Sequence, residues 1–206
     1  MVSVANADTF LYQGPSSITG TATIHLSGVP GSTVDLTVYT GENNFTFGSD
    51  PQTYGYCVDL QAEAGNGNAT KTDTSTINGG LTIGYLLNKY APLFHATGNK
   101  QGATALQLAI WDLEYESGSS MQAPPAYSID LTGGHFTATN IKVDGSSYDP
   151  SSYLALFNAD IGNTDLATRY AGASGSIQSF ASPVPEPATI AALAIGAAGL
   201  LRRRRR

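Results

Sequence analysis

The sequence predicts a mainly β fold with a helical subdomain, an α+β arrangement in which a β-sandwich or barrel carries inserted helices. Two observations lead there. Over roughly the first sixty residues, short runs alternate apolar and polar side chains with glycine and proline between them, whereas from Ile83 to Glu116 the apolar spacing changes to that of a helix. Composition agrees, because charged residues make up 13% of the chain while glycines number 23 and tyrosines 11, a balance typical of exported β-rich domains.

In chain order, Thr21, Thr23, His25 and Ser27 alternate with Ala22, Ile24 and Leu26, and Val34, Leu36 and Val38 repeat the pattern after Gly28, Pro30 and Gly31. Antiparallel strands are expected from Phe10 to Phe47, then from Tyr54 to Leu60, with a polar loop over 65–80. Ile83, Leu86, Leu87, Tyr90 and Phe94 fit a helix broken near Pro92, and a second helix is expected from Asn99 to Glu116. Strands at Ala126–Leu131 and Phe136–Val143, short helices at Pro150–Phe157 and Thr164–Ala171, and a closing strand at Ser174–Phe180 complete the expected body.

A chain of 206 residues with 41% hydrophobic residues suits one domain with a real core, here residues 9–181. Residues 1–8 contain Ala5, Asn6 and Ala7 in a small-x-small pattern and read as the remnant of a signal-peptide region. The formal charge of -6 hides an asymmetry, since Arg202 to Arg206 hold five of the ten basic residues. Without residues 182–206 the body carries five basic and fifteen acidic side chains, a net of -10 that repels phosphate backbones and argues against nucleic acid as a partner. His25, His95 and His135 are scattered without metal-ligand spacing, and no nucleophile elbow or phosphate loop is present, so no metal, cofactor or ordinary hydrolase chemistry is expected.

Gln107 interrupts an apolar helical arc formed by Leu106, Ile110 and Leu113, where a carboxamide is costly unless engaged. Cys57 is the single cysteine, which excludes an intramolecular disulfide and leaves a buried core residue, a free thiol, an intermolecular bridge or a modified group. In an extended TYGYCVDL segment, Gly55 shares the Cys57 face and is expected to leave room for the Gln107 helix to approach the sulfur. A thiolate set against a carboxamide carbon can displace ammonia and leave a thioester. The plainer alternative is a buried thiol packed near a hydrogen-bonded glutamine.

YCVDL followed some fifty positions later by LQLAIW resembles the Cys and Gln motifs of the thioester domains of bacterial surface adhesins, over roughly Phe45 to Ala171. That resemblance implies a Cys57–Gln107 thioester on a β-sandwich or barrel with an inserted helical subdomain. It further implies self-catalysed bond formation without turnover, and covalent capture of an amine or hydroxyl on an unknown surface protein or polysaccharide. Trp111 is read as packing beside the bond, Glu114 and Asp59 as possible aids to proton transfer, and Tyr56 as a shield or hydroxyl donor. The alternatives are a non-covalent polysaccharide- or matrix-binding β-domain and a thioester serving solely as a structural cross-link.

At the other end, Pro185, Glu186 and Pro187 precede an apolar run from Ala188 to Leu201 and then the arginines, Arg202 and Arg203 first. Fourteen residues at helical rise span about 21 Å, short of a bilayer core of about 30 Å, so this expected apolar helix inserts only transiently. Motif, order and position resemble the PEP-CTERM sorting signal of Gram-negative bacteria. The resemblance implies export to the cell envelope, cell surface or extracellular matrix and processing by an exosortase.

Overall fold

A computed structural model of the chain describes residues 7–29, 32–60, 62–116, 123, 126–172 and 177–184. Eight strands, three α-helices and one 3-10 turn are present among them: β1 (Ala7–Val29), β2 (Ser32–Phe47), β3 (Thr53–Cys57), β4 (Gly67–Asp73), the turn Thr74–Thr76, α1 (Gly80–Thr97), α2 (Lys100–Glu116), β5 (Phe136–Val143), β6 (Ser146–Ser147), α3 (Ser151–Ala159), β7 (Thr168–Gly172) and β8 (Phe180–Ser182). The mainly β, α+β expectation holds at this level. The apolar run at residues 188–201 and the sorting-signal residues Pro185, Glu186, Pro187, Arg202 and Arg203 lie outside the described residues, as do residues 1–6. Among the described residues no helix is long and apolar enough to cross a membrane.

The strands close on themselves. Successive antiparallel pairings run β1–β2, β2–β3, β3–β8, β8–β7, β7–β4 and β4–β1, so six strands form a barrel with no edge along that circuit. Its interior is aromatic. Phe10 lies 4.9 Å from Phe45 and 5.5 Å from Phe180, and Tyr170 meets Phe45 edge-on at 5.0 Å. Offset and edge contacts of this kind are the arrangements in which ring quadrupoles attract.

β1 and β2 are longer than the barrel needs, and their distal halves run on as a hairpin, from Thr19↔Gly41 to Leu26↔Val34. β5 joins the free side of β1 there and β6 follows it, giving a second, open sheet. α2 packs against β1, β2 and β5 of this sheet, while α1 packs on α2. Gly41, at φ 116, marks the bend between the two parts of β2, a left-handed conformation that a side chain disfavours.

α2 is buried all round from Gly102 to Leu113, not along one stripe. Within that stretch the sequence has Thr104, Gln107 and Asp112 and no other strongly polar side chain, the signature of a helix enclosed on every face. Four expectations are corrected. The 65–80 loop holds β4 and the 3-10 turn, the expected Thr164–Ala171 helix is replaced by β7, and Ala126–Leu131 forms no strand. α1 also runs through Pro92 unbroken. β4 (GNATKTD) and β7 (TRYAG) are short and polar because barrel closure supplies their ladder bonds on both sides, with little need for apolar alternation.

Candidate functional site

β3 pairs with β2 as far as Asn43↔Gly55 and then leaves it to follow β8, through Tyr56↔Ala181 and Cys57↔Phe180. The backbone of Cys57 therefore has no strand partner on its β2 side. The Gln107 side chain takes that place. Its Oε1 accepts the Cys57 N–H at 3.0 Å and its Nε2 donates to the Cys57 carbonyl at 2.7 Å, so one carboxamide acts as one more peptide group of the ladder. Both residues are buried, Gln107 at 1% and Cys57 at 3% exposure.

Gln107, Trp111 and Tyr115 recur at four-residue intervals on α2 and so share one face. Tyr115 Oη accepts the Leu60 N–H at 2.8 Å, and Gln178 Nε2 donates to the Asp59 carbonyl at 2.5 Å. The segment from Cys57 to Leu60 is thus pinned by side chains at Cys57, Asp59 and Leu60, and by the Ser179 carbonyl at the Val58 N–H. The Cys57 thiol donates to the Asp59 carbonyl at 2.8 Å, and the sulfur lies 3.4 Å from the Asp59 N–H. Burial pushes the thiol pKa well above its ordinary value, while the Asp59 backbone and the Trp111 indole work in the opposite direction. The buried Trp111 N–H is near enough to favour the thiolate, and among the described residues it completes no hydrogen bond. Its ring packs 6.2 Å from Phe136.

The role expected of Gly55 is corrected. A Cβ there meets the Ala181 carbonyl at 2.6 Å, Ser182 Oγ at 2.8 Å and the Phe45 ring at 3.0 Å, so the clearance is used by β8 and the barrel core and not by the Gln107 helix. Tyr56 faces away from Cys57, as strand alternation requires, and its buried hydroxyl lies in the field of Glu42 with no hydrogen-bond partner. Glu42 is itself buried on β2 and meets His95 Nδ1 at 2.9 Å, while the His95 ring stacks on Tyr54 at 4.0 Å. That cluster ties α1 to the sheet on the face opposite the sulfur. Among the described residues, no group of three or more His, Cys, Asp or Glu is placed to hold a metal ion.

Glu114 is partly buried, and one carboxylate oxygen has no hydrogen-bond partner. Burial and then Asp59 push its pKa up to about 8, against the pull of Arg169 and the Asn78 backbone. Arg169 of β7, half-buried in the field of Glu114 and Asp59, donates to Thr76 Oγ1 at 2.8 Å and Ser179 Oγ at 3.5 Å, and no local pattern in the sequence links position 169 to the helix. Asp112, two residues earlier, is 1% exposed and accepts a hydrogen bond from Tyr127. Burial pushes its pKa up to about 7, helped by Glu116 and opposed by Tyr127.

These two carboxyls set a pH dependence. Each binds its proton more tightly folded than unfolded, so their contribution is fully present below about pH 4 and is lost as pH rises to about 7 for Asp112 and about 8 for Glu114. Stability is expected to fall between pH 5 and pH 8, each group contributing at most about 1.4 kcal/mol per pH unit. Urea unfolding at the two pH values checks this, and Asp112→Asn should flatten the slope. A midpoint that rises over this range would contradict the assigned burial.

A cleft of about 620 Å³ opens beside the pair, with Cys57 and Trp111 at its inner end. Its lining includes the β2 residues Leu36 to Tyr39 together with Leu60 and Ala62 to Ala64. The sulfur of Cys57 is therefore buried yet adjacent to a route from solvent.

Among known protein families, a model described as the PEP-CTERM protein-sorting motif matches residues 183–206. That motif marks an exported protein of the Gram-negative cell envelope or surface, sorted and processed by an exosortase. No curated protein and no solved structure matches the chain.

Proposed function

We propose that the body of this exported protein is a thioester domain that captures a nucleophile on a partner surface through Gln107. The observation that carries the reading is the two-point seating of the Gln107 carboxamide on the backbone of the chain's single cysteine, deep in the core yet beside a cleft.

The chemistry follows from that seating. The Cys57 sulfur attacks the Gln107 carboxamide carbon, and negative charge develops on Oε1, where the Cys57 N–H already donates. The thiol proton passes to Nε2, the C–N bond breaks and ammonia leaves, so thiol plus amide becomes thioester plus ammonia. Burial makes the thiolate scarce, and the fixed geometry compensates by making the attack intramolecular. An outside amine arriving through the cleft then attacks the same carbon, forms an amide with the former Gln107 side chain and returns the proton to sulfur. No turnover follows, because capture consumes the site.

A second reading has its own support, since the same two hydrogen bonds satisfy Gln107 with no covalent bond at all. On that reading the domain binds matrix or polysaccharide non-covalently. Methylamine separates the two. Labelling at Gln107 with release of one thiol at Cys57 is expected, whereas a protein unchanged by methylamine has no reachable electrophile. Loss of stability in Gln107→Ala without amine reactivity would indicate a shielded cross-link.

A further inference from the structure

We infer that the outer edge of β2 from Leu36 to Thr40 is a docking strand for an extended, lysine-bearing segment of a partner protein, which pairs with it and delivers its amine to the Cys57–Gln107 site. The inference rests on the thioester reading for its chemistry and on the sheet itself for its docking geometry.

The edge is created where β3 departs. One side of β2 is paired with β1 from Phe47↔Phe10 to Val34↔Leu26. The other side is paired with β3 only at Asn43, Asn44 and Phe45. Beyond the bend at Gly41, no described strand covers that second side, and apart from the β1 ladder no described group hydrogen-bonds the main chain of residues 36–40. A strand added there runs on the line that β3 abandons after Gly55.

Exposed edges are normally blunted by lysine, proline, a bulge or an inward charge, because unpaired N–H and C=O groups template pairing with other chains. Leu36-Thr37-Val38-Tyr39-Thr40 has none of these protections, and the four residues after Leu36 all favour strands. Leu36 and Tyr39 are large and exposed, at 40% and 65%. Main-chain pairing supplies affinity in this mode and alternate side chains supply selectivity. Leu36 and Val38 share the face carrying Ile24 and Ala22, their β1 partners, and both line the cleft that leads to Cys57.

Charge identifies the occupant. Glu63 lines the same cleft, no lysine or arginine lines it among the described residues, and the body as a whole carries a net of -10. A cationic ammonium is drawn to such a surface and, once deprotonated, is the better nucleophile toward a thioester. The step balances as for any amine: the N–C bond to the former Gln107 carbonyl forms, the S–C bond breaks, and the amine proton ends on Cys57.

The test compares acyl capture rates, by intact mass, for three probes: methylamine, Nα-acetyl-lysine amide, and a blocked eight-residue peptide of alternating valine and threonine around one lysine. Capture of the peptide is expected to be about tenfold or more faster than that of the lysine amide. Peptide N-methylated at alternate amides, which cannot complete main-chain pairing, should bring the rate back to that of the lysine amide. Peptide and lysine amide reacting equally, with methylamine labelling intact, overturns the docking strand, as does faster capture of a glucosamine oligosaccharide than of the peptide. Failure of methylamine overturns the thioester reading instead. The edge is then judged on Cys57→Ala protein, where saturating peptide should slow amide hydrogen exchange at residues 36–40, and unchanged exchange there refutes it.

Discussion

Gln107→Leu is expected to lower stability by about 5–7 kcal/mol if the cross-link forms and about 2–6 kcal/mol if it does not, the largest loss of any single substitution near the site. Leucine fills most of the volume but strands the Cys57 N–H and, where the carboxamide is still intact, the Cys57 carbonyl as well, buried backbone groups whose lost partners cost about 1–3 kcal/mol each. The same change prevents the cross-link, which closes a loop of 50 residues and by analogy with a disulfide contributes about 4 kcal/mol. Cys57→Ala provides the comparison, because it abolishes the bond and keeps the carboxamide on the backbone. If the bond forms, both variants fall well below wild type, with Gln107→Leu the lower. If it does not, Cys57→Ala stays close to wild type and only Gln107→Leu falls. Urea midpoints at constant m-value read the difference.

Phe45→Ala is expected to cost about 3–5 kcal/mol. Phe45 is fully buried and touches the other rings of the barrel, Phe10, Phe180 and Tyr170, from the middle of β2. Its ring also fills the space in front of Gly55, so the substitution removes the wall against which β3 sets the Cys57 backbone. Amine capture should therefore slow in the surviving folded protein as well. A cost below about 1 kcal/mol would mean that the aromatic cluster does not hold the barrel together.

The parts of the molecule legible in the sequence are those whose physics is local. Alternation in β1 and β2 reports a half-buried hairpin, and the 3.6-residue spacing of Ile83, Leu87 and Phe94 reports α1 despite Pro92. Gln107 stood out because a carboxamide in an apolar arc requires a partner. The structure supplies one at the Cys57 backbone, where the sequence reading had placed the approach at the sulfur through Gly55.

What the sequence hid depends on closure in three dimensions. β4 and β7 have little apolar pattern, since their neighbours in the ring satisfy them. Tyr115 and Gln178 reach the Cys57–Leu60 segment from separate elements, with no spacing that links them to it. One signal was available and went further than a stripe argument allows: the stretch from Gly102 to Leu113 lacks any lysine, arginine or glutamate, which marks α2 as central and explains why Asp112 is buried with a raised pKa.

The intact mass of freshly prepared native protein tests the central claim most directly. The account predicts a chain lighter than its sequence by one ammonia, with no thiol titratable under native conditions, and no such deficit in Cys57→Ala or Gln107→Leu. The full sequence mass together with one titratable thiol would contradict it.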